Sequence, residues 1–159
     1  MLNISFRQFL AKEELDEEKK NIKDTLYKLP KSHSTLVRGY NFKFQAGNTL
    51  KGDDQHVGYM DKGPKEICVA APWNYGREFT ILHEIAHRVW EKYMTDDLKK
   101  KWNKIVEKTK KKPIREEDRQ AMDQSSEELF CMAYAATYSN APPARFHHPE
   151  WERFIKSIS

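Results

Sequence analysis

Long apolar runs are missing from this chain, and no stretch approaches the roughly 20 consecutive apolar residues that span a bilayer. Its opening, MLNISFRQFLAKEEL, has none of the basic start, apolar centre and small-residue cleavage site of a secretory leader. No membrane partner is therefore expected, and the expected location is cytoplasmic. Cysteine is scarce too: Cys68 and Cys131 are the only two, too few for a disulfide framework, so reduced thiols are expected. Glycine is confined, all six falling between Gly39 and Gly76, which puts turns and strands there and helices on either side. Aromatics are absent from the basic runs Lys99-Lys100-Lys101 and Lys110 to Lys112. With a formal charge of only +4, these read as solvated helix faces, and no nucleic-acid partner is expected.

What is there suits one soluble domain. A chain of 159 residues with 38% hydrophobic and 33% charged residues can bury one core beneath a very polar surface. Four regions are expected. In residues 1–30, Leu15, Ile22, Leu26 and Leu29 form the stripe of a charged helix that stops at Pro30. In 35–72, STLVRGYNFKFQ alternates as a strand, and HVGYM, the turn Asp61-Lys62-Gly63-Pro64 and EICVAAP read as a hairpin, together a small antiparallel sheet.

Residues 74–138 read as successive helices. The first starts near Asn74 and carries Phe79, Leu82, Ala86, Val89, Trp90 and Tyr93 at helical spacing. The second is capped by Thr95, with Leu98, Trp102, Ile105 and Val106 as its stripe. Residues 114–124 are expected to be irregular or short-helical. Ser125 or Ser126 then opens a third helix through Tyr138, which SNAPPA stops. Pro149 opens a terminal helix over 149–158, with Trp151, Phe154, Ile155 and Ile158 for docking. The fold class is thus α+β, a small sheet followed by a helix-rich half.

Within the first of those helices lies TILHEIAHRVW, residues 80–90. Residues four apart project from one helix face about a turn apart, so the imidazoles of His83 and His87 can reach a single ion. Glu84 follows the first histidine directly, where a carboxylate can take a proton from an activated water. The competing account is three polar residues on an amphipathic helix. Two histidines and a carboxylate within one apolar-rich turn are costly to bury unless something binds them, which favours the metal site. The H-E-x-x-H order and the donor types suit Zn²⁺.

Two histidines need at least one more protein ligand. There is no third histidine at the short H-E-x-x-H-x-x-G-x-x-H spacing, and the next candidates are acidic, in SSEELFCMAYAATY. TILHEIAH, then a TDDLKKKW helix, then SEELFCMAYAATY is similar in order to the minimal gluzincin core and to the catalytic domain of the anthrax-lethal-factor type, over residues 56 to 139. Those zinc metallopeptidases carry H-E-x-x-H on one helix and a ligand glutamate on a later one. The resemblance implies a zincin-like fold. ELFCMAY matches the family's E-F-F-A-E-A-F stretch, which implies Glu128 as third ligand, with Glu127 one residue away as the alternative. Ser125 and Glu128 also stand in the S-x-x-E relation of a capping box, an ordinary structural role for the same residue.

This resemblance implies a zinc-dependent endopeptidase acting on a protein or peptide substrate, with His83, His87 and Glu128 holding the metal and Glu84 as general base. Two departures stand out. The acidic outer partner often found four residues after the ligand glutamate is Met132 here, and the oxyanion-stabilising tyrosine seven residues before it is Ala121. Tyr138, His147 and His148 are candidates for that oxyanion role, each with an alternative in packing or capping. Ile67, Cys68, Val69 and Ala70 match in position the strand on whose edge such enzymes pair a peptide substrate, a structural edge strand being the alternative. Two other functions fit the same residues. One is a narrow regulatory peptidase like those of phages and mobile elements, cutting one partner; the other is a non-catalytic zinc-binding interaction module, against which the retention of Glu84 argues.

Overall fold

The computed structural model describes residues 20–46, 58–61, 65–71, 77–140, 142 and 146–159. They form, in chain order, α1 (residues 20–27), α2 (Lys31–Ser34) running into a 3-10 turn (Thr35–Val37), β1 (Asn41–Ala46), β2 (Gly58–Asp61), β3 (Glu66–Ala71), α3 (Arg77–Lys92), α4 (Asp96–Lys110), α5 (Glu116–Ala121), α6 (Ser126–Tyr138) and α7 (Pro149–Ser157). Helix dominates, with one small sheet before the long helices. The expected start of α3 at Asn74, the turn residues Lys62 to Pro64 and Leu15 lie outside the described residues.

The sheet differs from the expected antiparallel one, and its first strand is shorter than expected: Ser34 to Val37 are helical, continuing the turn that follows Pro30, and β1 begins only at Asn41. β2 and β3 form the anticipated hairpin, pairing antiparallel with Tyr59 opposite Cys68 and Met60 opposite Ile67. β1, however, pairs with β3 in parallel, Phe42 opposite Ile67 and Phe44 opposite Val69, giving the order β1-β3-β2. Alternation marks a strand but not the direction of its partner, and β3 takes the central place, antiparallel to β2 and parallel to β1. A sheet of mixed sense follows.

α6 is the centre of the helical half. Leu129, Phe130, Cys131, Ala133, Tyr134, Ala135 and Ala136 are all buried, so this helix is wrapped on most sides. α3 packs along it, and also contacts β3, β2 and the 3-10 turn Thr35–Val37. Of the expected α3 stripe, Phe79, Leu82, Ala86 and Val89 are buried and Trp90 and Tyr93 half-buried, and Ile81 and Ile85 widen it.

Trp102 of α4 ties the rest together. Its ring is fully buried and meets Phe130 at 5.7 Å, Trp151 at 5.4 Å and Phe154 at 5.5 Å between centroids, joining α4, α6 and α7. Its indole N–H donates to the Ser126 carbonyl at 2.9 Å, and the Trp151 indole donates to Thr109 Oγ1 at 3.0 Å, so both buried rings satisfy their polar atom. Thr95 caps α4 by accepting from Leu98 N–H at 3.3 Å, and Ser125 caps α6 by accepting from Glu128 N–H at 3.2 Å. Cys131 is a buried free thiol.

At the other end, Glu78 in the first turn of α3 accepts from Lys28 Nζ at 3.0 Å and from Asn140 N–H at 2.8 Å. This ties α1 and the chain after α6 to the start of the histidine-bearing helix. His33 is buried without exposure: its Nε2–H donates to the Ile158 carbonyl at 3.1 Å, which leaves Nδ1 to accept from the Tyr134 hydroxyl at 3.1 Å. One imidazole thus joins α2, α6 and the end of α7. No helix among the described residues is long and apolar enough to cross a membrane.

Candidate metal centre

α3 presents His83 and His87 from one face, their rings edge to face with centroids 5.0 Å apart, as the four-residue spacing dictates. Donor atoms of His83, Glu84 and His87 all lie within 4.8 Å of one another, a grouping that can hold a metal ion. The N-terminal turn of α6 faces them. Glu128 Oε2 lies 3.1 Å from His83 Nε2, and Glu128 Oε1 lies 3.1 Å from His87 Nε2, so one carboxylate bridges both histidines. Glu127, the next residue back, turns to the other side of the same ring: its Oε1 accepts from His87 Nδ1–H at 2.9 Å.

The two glutamates therefore part company. Ser125 Oγ does accept from Glu128 N–H, half of a capping box, but the Glu128 side chain is spent on the histidines. Glu127 reaches Nδ1, and Glu128 alone is in contact with both Nε2 atoms among the described ion pairs. Local structure holds them there. The Ser125 cap and the Trp102 bond to the Ser126 carbonyl fix the turn that precedes both, and Ser126 Oγ is also hydrogen-bonded to Asn103 Oδ1.

The grouping has room for a metal ion. The two 3.1 Å contacts run from separate Glu128 oxygens to separate imidazole nitrogens, hydrogen-bond distances that bring this carboxylate against both histidines. Charge agrees with it. Glu128 is held well below the usual carboxylate range, chiefly by hydrogen bonds from His83 and His87. For His87, burial pulls downward, but hydrogen bonds to Glu128 and Glu127 and the charges of Glu128 and Glu84 outweigh it and raise the imidazole to about 9. The cluster is a concentration of negative charge that attracts a cation.

It also stays within reach of solvent, with side-chain exposures of 12% for His83, 23% for His87 and 39% for Glu128. Glu84 is more enclosed at 7%. Glu84 thus lies enclosed beside the two histidines.

The remaining candidates are placed elsewhere or differently. Tyr138 sits ten residues beyond Glu128 on α6, roughly 15 Å along the axis at 1.5 Å per residue. Its ring packs on Tyr134 at 5.0 Å, and burial raises its hydroxyl above the usual range. His147 pairs with Glu152 at 3.5 Å, and the His148 ring packs at a tilt on Trp151, 4.2 Å between centroids, as α7 begins. Ile67, Cys68 and Val69 are not on an edge strand. β3 is the middle strand and each of the three is paired on both sides, because β1 occupies the edge that a simple hairpin leaves open. Ala70 is paired with Gln45 on one side, and its other neighbour lies outside the described residues. A peptide cannot add to β3 there, which corrects the expectation for this strand.

The position of Glu127 on His87 was not foreseen. Nothing in a single sequence distinguishes which of two adjacent glutamates faces which ring atom until the rotation of α6 against α3 is known. Comparisons with protein-family models, with curated proteins and with solved structures found no match. The functional reading is therefore carried by the residues and their geometry.

Proposed function

We propose that this chain is a zinc-dependent endopeptidase of the gluzincin kind, with His83, His87 and Glu128 as protein ligands and Glu84 as general base. The observation that carries the reading is the single Glu128 carboxylate shared between the Nε2 atoms of two histidines one helical turn apart. A Zn²⁺ ion held by these three groups would supply Lewis-acid polarisation of a water and of a peptide carbonyl, which is the chemistry that makes hydrolysis accessible at neutral pH.

The chain's own residues do the rest. Glu84, enclosed beside the histidines, accepts the proton of the attacking water and returns it to the departing amine, a transfer that contributes about 10²–10⁴-fold. Its burial limits competition from bulk water for that proton. His83 and His87 stay fixed because α3 is packed along α6 and the sheet, and Glu128 stays fixed by the capped turn before it. A purely structural metal site has no use for a carboxylate at position 84, so its presence beside the ligand set favours catalysis over a non-catalytic module.

The test is cleavage of a peptide library by the zinc-loaded protein beside Glu84→Gln, with metal content measured for both. Equal zinc and loss of cleavage in the variant support the assignment. Equal cleavage by both, or zinc binding with no cleavage of any peptide by the wild type, removes the general-base role.

A further inference from the structure

Glu127 is the residue that the metal-centre reading leaves without a task. It lies one position from the ligand glutamate, yet its Oε1 meets His87 at Nδ1, on the opposite side of the ring from Glu128. We propose that Glu127 is the positioning residue for His87, holding the proton on Nδ1 so that Nε2 presents its lone pair to the metal. This rests on the metal-centre reading and deepens it.

Three observations argue for it. The contact is short, 2.9 Å, and involves a carboxylate, the acceptor type that makes such bonds strong. Successive residues on a helix point about 100° apart, so Glu127 and Glu128 can embrace one imidazole from its two nitrogens without competing for the same atom. The pairing is also one-sided: His83 Nδ1 is buried with no hydrogen-bond partner among the described residues, so the orienting carboxylate acts on His87 alone.

The cost of this arrangement is low. Glu127 keeps 43% of its side chain in solvent, so its charge remains hydrated on one side while the other side grips the ring. Its place in the first turn of α6, where the helix N-terminus favours negative charge, further lowers that cost.

The experiment compares wild type, Glu127→Ala and Glu127→Gln by zinc titration against a competing chelator and by ¹⁵N imidazole shifts of the zinc-loaded proteins. Expected is a 10- to 100-fold loss of zinc affinity in Glu127→Ala, the scale usual for removal of an outer-shell partner, with partial recovery in Glu127→Gln, whose amide oxygen still accepts. The His87 shifts should move and those of His83 should stay, a split that general destabilisation of α6 would not produce. Affinity within twofold of wild type together with unchanged His87 shifts overturns the proposal. Should the wild type bind no zinc, the metal reading fails. The same spectra then test the contact alone: a downfield Nδ1 proton on His87 that Glu127→Ala removes retains it, and its absence in wild type overturns it.

Discussion

The Trp102 indole N–H donates to the carbonyl of Ser126, the residue directly before Glu127 and Glu128, so the buried hub of α4 and α7 sets the position of the turn that faces the histidines. Core and site share one hydrogen bond.

Trp102→Phe removes that donor and leaves the ring largely filled. A loss of about 1–3 kcal/mol in unfolding free energy is expected, measured by urea denaturation, because the Ser126 carbonyl loses its partner in a partly buried setting. Zinc affinity should fall as well. Trp102→Ala empties the hub and should cost about 3–5 kcal/mol.

Protons and a cation compete for the same nitrogens. With His87 raised to about 9, metal binding at neutral pH must expel a proton, so apparent zinc affinity should rise about tenfold per pH unit until pH approaches 9. Titration calorimetry in buffers of different ionisation enthalpy reads the released proton directly. Without metal the sign reverses for stability: the His87 contribution is complete below its ordinary 6.5 and is lost as pH rises through about 9. The Glu128 contribution is present above its ordinary 4.5 and lost as pH falls below it.

His33 should make the fold acid-sensitive. Burial lowers its imidazole below 6.5, so the unfolded chain binds the proton more readily, and stability is lost as pH falls from 6.5 through the lowered value. His33→Ala should lose about 2–4 kcal/mol at pH 7.5, since the Tyr134 hydroxyl and the Ile158 carbonyl both lose a buried partner. Its stability should also vary less between pH 6.5 and 5 than that of the wild type, measured by denaturant unfolding at each pH.

The helices were legible because their signals are local. Thr95 caps α4 as expected, Ser125 of the two candidate serines caps α6, Pro149 starts α7, and Phe79, Leu82, Ala86 and Val89 of the expected stripe are buried. That His83 and His87 share a face follows from their spacing alone. What was not legible depends on residues distant in sequence. The parallel register of β1 on β3 and the loss of the β3 edge depend on pairing between strands distant in sequence, which no local periodicity reports. Which atom of His87 meets Glu127, and why His33 is buried between Tyr134 and Ile158, depend on how helices rotate against each other.

Whether His83, His87 and Glu128 hold a catalytic zinc is decided by the zinc content of the purified, zinc-reconstituted protein, determined by mass spectrometry for wild type, His83→Ala and Glu128→Gln, with chelator-sensitive peptide cleavage measured on the same samples. One zinc per wild-type chain, lost in both variants together with cleavage, is the predicted result. Zinc retained in full by Glu128→Gln, or no zinc in the wild type after reconstitution, would contradict it.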